Sequence, residues 1–536
     1  MSTLFDAILD GDADSVVRLL RSGVSPEADD EGETALYRAA LANEPGIVRL
    51  LLAAGADPAR GSGEQAGDLP LCGAACGGHT EVVRALLAAG AQPDQPEEYG
   101  MTAMDWAAQL GHAETVRALL EYGADPGRPR PGGPPPLVAA ARRGSAASVR
   151  ALLEYGAGPV EDALREARRW IGVDIAEELR RGLLETSGGG RGGDAYGETV
   201  VRRVHEEGGV TVVVELLRAD GAPGFGNEQQ TGHAAIATLL ETALGVRAPH
   251  EELAERAVRC GDPELDDWTE TVVALTGRGD EETYRAAATW CTSEDPLRRA
   301  LGADVLGGLK DFRPRAVQVL RRLAAREARE APGGEYGPTA PGPAGRAATA
   351  GPGMPAATAT AGAAWVGDEG RSPACEPARA VVAALGQCGE PAALPELLAF
   401  ASHPDEEVRR ALGCALTGLV PAGDARAVET LVALSRDHDS GVRDWATLAL
   451  AEVPEDTPVL REALTARLGD SDPDTVAEAA RGLAIRQDAR AVEVLAGILA
   501  DGDPAGAARD TALAAVEFVR DPRVRKRLEW TSPRCR

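Results

Sequence analysis

Two histidine–glutamate pairs, His205-Glu206 and His250-Glu251, are the first residues whose types could do chemistry. An imidazole beside a carboxylate offers two ligands of the kind a non-haem iron takes. Cys72 and Cys76, at i and i+4, could join a metal site, but no further Cys or His follows at a fitting spacing. Small core thiols are the plainer reading of both. His79 and His112 each follow a glycine, and their plain reading is bonding to nearby backbone, not to a metal. No phosphate-cradling G-x-x-x-x-G-K-S/T occurs, nor G-x-S-x-G, H-E-x-x-H or a zinc-spaced Cys/His cluster. Gly224-Phe225-Gly226 alone is a turn signal. No catalytic residue, metal or cofactor is expected from this inventory.

Composition narrows the class further. The 536 residues, at roughly 100–200 per domain, should form about three or four folding units. Aromatic residues make up only 4%, so the core must rest on Ala, Leu and Val, which suits closely packed helices. The formal charge of −28 repels phosphate backbones and anionic membranes. The C-terminal stretch with Arg523, Arg525, Lys526 and Arg527 is locally basic, and against that total it reads as a solvated end helix or a contact for a local acidic partner, before DNA. No basic leader and no run of 18 apolar residues is present, and the eight Cys form no C-x-x-C pair. A cytoplasmic protein with reduced thiols is expected, with no membrane and no nucleic-acid partner.

The positioning elements show themselves as repeats. Gly55-Ala56, Gly90-Ala91, Gly123-Ala124 and Gly156-Ala157 each end a leucine-rich phrase such as VRLLLAAGADP or VRALLEYGADP, about 33–35 residues apart. Val48, Leu51 and Leu52 mark one buried helix face, and the following Gly can take the left-handed position that ends a helix. A second helix precedes each, with Thr34 and Thr102 placed as N-caps.

These residues resemble ankyrin repeats in period, Thr placement, Gly-His turn and Gly-Ala-Asp ending. The family's usual His at the start of the first helix is replaced by Phe5, Tyr37, Cys72, Asp105 and Val138. The resemblance implies five units, the first a cap over residues 1–29, and a concave surface of loop fingers and first-helix side chains. On that surface Arg38, Tyr99, Trp106 and Gln109 are the expected partner-binding residues, with Asp29, Glu31, Glu97 and Glu98 on the fingers. Trp106 is the expected anchor, since aromatic and Arg side chains dominate binding hot spots. The alternative is that its indole packs across to Arg38 or the neighbouring repeat.

A second series runs through Val408, Val442 and Val476, spaced 34 and 34, in phrases that open with Asp or Pro. Asp405 and Asp439 read as helix caps. This half resembles HEAT repeats, of the bacterial kind related to phycobilin lyase-type repeats, through D-x-x-V-R-x-A and A-L-x-x-L. That family forms Asp–Arg ladders along its stacked loops. Asp437 with Arg443 fits, Arg409 is present, and Ala477 interrupts. Their implied role is structural, as caps and solvated ion pairs worth little each. Iron-dependent hydroxylases built from HEAT-like repeats use repeated His-Glu pairs, but Arg298, Arg409 and Arg443 stand at the matching helix starts here.

The predicted architecture is an all-α double solenoid. Ankyrin repeats fill 1–160 and a helical connector 161–225, with a Gly-rich hinge at 187–194. Divergent HEAT-like repeats follow over 226–329, a disordered Pro/Gly/Ala linker over 330–371, HEAT-like repeats over 372–530 and a tail over 531–536. Within the connector, VTVVVELL at 210–217 could form a strand, and its surroundings favour helix. Function is expected to be non-enzymatic: a scaffold that binds proteins through both concave faces. The rival is a metal-dependent modifying enzyme using His205, Glu206, His250 and Glu251.

Overall fold

The computed structural model describes residues 3–63, 67–97, 100–128, 130, 132–187, 196–206, 208–218, 221–330, 375–501 and 506–531. Of the Gly-rich hinge only Ser187 is among them, and of the expected linker over 330–371 only Glu330; residues 372–374 and the last five residues also lie outside. The chain divides into two compact units, Met1–Ala274 and Leu275–Arg536.

The first unit opens with paired helices. They are α1 (Leu4–Leu9) and α2 (Ala13–Arg21), α3 (Ala35–Leu41) and α4 (Pro45–Ala53), and α5 (Pro70–Cys76) and α6 (Thr80–Ala88). Then come α7 (Ala103–Leu110) and α8 (Ala113–Glu121), and α9 (Pro136–Arg143) and α10 (Ala146–Glu154). Thr34 Oγ1 accepts the Tyr37 N–H at 3.2 Å. Thr102 and Asp105 form a reciprocal capping box, Asp105 Oδ2 accepting the Thr102 N–H at 2.9 Å. Gly55, Gly90 and Gly123 follow their helices at φ of 103°, 98° and 87°, where a Cβ is disfavoured. One apolar core of Ala, Leu, Val and Ile runs through the pairs and on into α11 (Val160–Trp170) and α13 (His233–Ala243).

The connector departs from the helical expectation. After α12 (Ile175–Ser187) come β3 (Tyr196–Glu206), β4 (Gly209–Arg218) and β5 (Pro223–Gln230), an antiparallel sheet in the order β3-β4-β5. The segment 210–217 is therefore a strand, and Gly224-Phe225-Gly226 lies inside β5, not in a turn. Val212, Val214 and Leu216 are buried on one face against Leu179 and Leu183 of α12, a period of two that a β-branched run satisfies. A separate two-residue ribbon, β1 (Asp29–Asp30) on β2 (Glu33–Thr34), forms one finger. Residues 226–274, including α14 (His250–Cys260), fold with this unit and do not begin the second stack. The helix α15 (Asp266–Arg278) starts here and ends in the second unit.

The second unit stacks α16 (Glu281–Trp290), α17 (Pro296–Gly308), α18 (Arg313–Glu330), α19 (Glu376–Cys388) and α20 (Leu394–Leu397). It continues through α21 (Glu406–Leu416), α22 (Ala425–Leu434), α23 (Ser440–Glu452), α24 (Pro458–Arg467) and α25 (Pro473–Ile485). It ends with α26 (Arg490–Asp501), α27 (Ala507–Val516) and α28 (Pro522–Thr531). The helices α18 and α19 pack on each other, although 45 positions separate Glu330 from Cys375 in the sequence.

An arginine ladder ties the layers of this unit. Asp295, Asp405 and Asp439 cap α17, α21 and α23, and four residues after each cap stands Arg299, Arg409 or Arg443. Each gives hydrogen bonds to two carbonyls of its own preceding loop, as Arg409 does to His403 O at 2.7 Å and Pro404 O at 2.9 Å. The rest of the guanidinium reaches a carboxylate one repeat onward. Arg299 takes Glu327 at 2.8 Å, Arg409 takes Asp437 at 2.7 and 2.9 Å, and Arg443 takes Asp470 at 3.0 and 2.9 Å. Asp437 thus belongs to Arg409, and Arg443 uses only its backbone carbonyl. The side chains are not solvated: Arg299 and Glu327 are 8% and 5% exposed. In the next repeat Asp472 caps the Thr475 N–H, so Thr475 is the counterpart of Val442 and the missing rung falls at Val476, not Ala477. Arg486 ties these layers instead, giving hydrogen bonds to five carbonyls between Leu450 and Gly482.

Candidate partner-binding surface

The fingers and first helices of the paired-helix array carry most of the expected binding residues. Trp106 is half-buried on α7, and its indole Nε1 donates to Glu97 Oε1 of its own finger at 2.8 Å. Arg38, one position equivalent on α3, donates through Nε to Glu33 Oε1 at 2.7 Å and through its other nitrogen to Glu33 Oε2. Each side chain is thus held by an acid of its own repeat, and the indole does not reach across to Arg38. Gln109 is exposed and accepts from Arg130 at 3.5 Å. Tyr99 and Glu98 lie outside the described residues.

Carboxylates dominate the fingers: Asp29, Asp30, Glu31, Glu33, Asp68, Asp94 and Glu97. Arg60, like Arg38, is closed onto acids, with Glu27 at 2.6 Å and Asp29 at 3.4 Å. Tyr37 records the resulting field. Burial pushes its hydroxyl up to about 12, and the charges of Asp68, Glu97 and Glu33 add to the rise. Burial also raises the Glu97 carboxyl, against the pull of the Trp106 hydrogen bond. Tyr37, Asp68, Glu97 and Trp106 therefore form one aromatic and acidic surface across three repeats. Tyr37 stood out in the sequence only as a replacement for the family's His. Its ring fills the space over Gly73, where a Cβ would sit 3.0 Å from it.

The histidines of the Gly-His turns act on backbone. His79 Nδ1 lies 3.0 Å from Ala40 O, and His112 Nε2 lies 3.1 Å from Cys76 O. Burial raises the thiols of Cys72 and Cys76 above their usual range. His205 and Glu206 end strand β3, whereas His250 and Glu251 open helix α14. Glu206 Oε2 accepts from Thr211 at 2.6 Å and from Gln230 at 2.9 Å. Among the described residues no group of three or more His, Cys, Asp and Glu is placed to hold a metal ion. At the C-terminal helix, Arg525 caps Val519 O and Glu517 O, and Arg527 pairs with Glu493 at 2.8 Å. In the second unit the half-buried Trp445 on α23 is an aromatic side chain that the sequence reading passed over.

Residues 31–61 match the family model of the ankyrin repeat, and residues 59–130 match that of ankyrin repeats in three copies. Residues 369–451 match HEAT repeats. No curated protein matches the chain. Ankyrin and HEAT repeats thus stand in one chain, and both are stacked modules that generally serve protein interaction. Among the described residues no helix is long and apolar enough to cross a membrane.

Proposed function

We propose that this chain is a non-catalytic scaffold that binds proteins through its ankyrin and HEAT surfaces, the ankyrin fingers receiving a segment rich in Arg and Lys. The observation that carries this is the surplus of finger carboxylates around Tyr37 and Trp106, with Arg38 and Arg60 already committed to acids. Trp106 offers a flat apolar anchor, and the acids around it supply steering and selectivity against anionic partners. Arg38 in this reading holds Glu33 in place, and Gln109 lines the rim. Among the described residues seven cysteines form no disulfide, which supports a reducing, cytoplasmic setting.

Peptide titration tests the reading. A twelve-residue Arg/Lys-rich peptide should bind the full chain at low salt and weaken sharply by 300 mM, while an Asp/Glu-rich peptide should not bind. Trp106→Ala should lose about 2 kcal/mol of that affinity, roughly 30-fold. Equal binding of both peptides, or an unchanged affinity in Trp106→Ala, would exclude this surface.

A further inference from the structure

Strand β3 forms one edge of the three-stranded sheet in the first unit, with β4 on its inner side. Its residues 201–206 are all exposed. The parity of the ladder decides which backbone groups that edge leaves over. Thr231 N–H donates to Val210 O at 3.0 Å, so Val210 turns its backbone groups toward β5. Direction alternates along a strand, and Thr211 and Val213 therefore turn toward β3. Their partners Val204 and Arg202 face inward to β4, whereas Thr199, Val201 and Arg203 point N–H and C=O out of the sheet. Among the described residues nothing meets these outward groups.

Sheet edges are normally blunted by proline, by a bulge or by a covering element. The β5 edge has all three. It starts at Pro223, and the β4–β5 register slips between Glu215 and Leu217. The helical array covers its end, where Gln229 Nε2 donates to Arg142 O at 2.6 Å and Arg143 donates to Glu228 O. The β3 edge has one slip at its start, between Tyr196 and Glu198, and no proline. It carries Val201 and Val204, 40% and 45% exposed.

A row of outward N–H and C=O groups is met by another extended backbone, added as a further strand. The residues of β3 select which one. The strand spans Tyr196–Glu206, and Val201 is its midpoint. A twofold axis through Val201 therefore gives the longest antiparallel overlap with a second copy. Val201 meets its own counterpart, Arg203 meets Thr199 and Arg202 meets Val200, so no like charges are opposed across 199–203. Val201 lies opposite the buried Val214, and the contact joins the two apolar rows into one. An axis at Arg202 or at Arg203 sets that arginine against itself, and an axis nearer the turn shortens the ladder. We propose that this chain self-associates through β3, two copies forming one six-stranded antiparallel sheet. The contact is isologous and closes at the dimer. It stands apart from the finger surface and holds whether or not that surface binds a basic partner.

Sedimentation equilibrium on the full chain tests the proposal. The expected result is a reversible species of twice the 55.5 kDa chain mass that grows with concentration, with slower amide exchange over 199–203 as it forms. Val201→Glu and Val201→Lys each oppose two like charges at the twofold, and each should weaken the dimer about tenfold or more. An equimolar mixture of the two variants should restore it, because opposite charges then meet there. Arg203→Pro removes an outward N–H and no hydrogen bond to β4, so it should weaken the dimer with the fold confirmed by circular dichroism. A wild type that stays monomeric at every concentration overturns the proposal. So does a dimer that both Val201 variants leave unchanged, or a mixture of the two that stays monomeric.

Discussion

Replacing Glu327 by Met separates a buried rung from a solvated ion pair by its size. Glu327 and Arg299 are 5% and 8% exposed and meet at 2.8 Å. A surface pair would be worth only about 0.2–1 kcal/mol. Here the substitution strands a guanidinium that keeps only the carbonyls of Ser293, at 3.1 Å, and Glu294, at 3.0 Å. Removing one partner of a buried pair costs about 3–5 kcal/mol. For a unit of this size, at about 2–4 °C per kcal/mol, Tm should fall by roughly 6–20 °C. The double variant Arg299→Met/Glu327→Met removes both charges and leaves the Glu294 carbonyl without a donor, at about 1–3 kcal/mol, while Ser293 O keeps Arg326 at 3.4 Å. It should therefore be more stable than Glu327→Met alone. Urea denaturation of the wild type, both single variants and the double variant measures the coupling. A loss under 1 kcal/mol in Glu327→Met, or a double variant less stable than that single one, would refute the buried-rung account.

Three further outcomes follow from the same contacts. Burial lowers His233 to about 4, so the native state keeps it neutral while the unfolded chain protonates near its ordinary value of 6.5. Stability is therefore lost as pH falls from 6.5 towards 4, by at most about 1.4 kcal/mol per pH unit, and urea titrations of His233→Gln should show a shallower loss. Gly144 has φ +80°, and a Cβ there would run into Gln230 O and His233 Cε1, whereas Gly156, at φ +76°, has nothing within 4 Å. Both Ala variants incur the left-handed penalty of about 1–2 kcal/mol, and only Gly144→Ala should cost clearly more and speed amide exchange in β5; equal losses would contradict sheet docking at this turn. Arg38→Ala releases the Glu33 carboxylate, so it should leave affinity for a basic peptide unchanged or tighter, and a loss matching that of Trp106→Ala would make Arg38 a direct contact.

What the sequence shows plainly is what repeats. The 33–35-residue spacing of Gly-Ala endings reports local helix pairs, because each pair caps, packs and turns by the same few residues. The ladder is harder to read. Asp437 and Arg443 are six apart and look like partners, yet stacking of loops brings Arg409 to Asp437, 28 residues on. The one-residue slip at Val476 has a similar origin. A valine catches the eye, while the cap on Thr475 sets the register. At 210–217 the β-branched run carried the right signal, and neighbouring helical phrases outweighed it. On the finger surface, Trp106 and Arg38 were legible as first-helix side chains, but their acids at Glu97 and Glu33 required the loop path.

The most direct test of a scaffold with an acidic ankyrin surface is affinity capture from a lysate of the native cells. Wild type would run beside Trp106→Ala/Glu97→Gln, with both folds checked by circular dichroism and bound protein identified by mass spectrometry. A near-stoichiometric protein with an Arg/Lys-rich segment, released by salt and missing from the double variant, is the predicted result. The same proteins retained by both forms, or none retained by wild type, would contradict it.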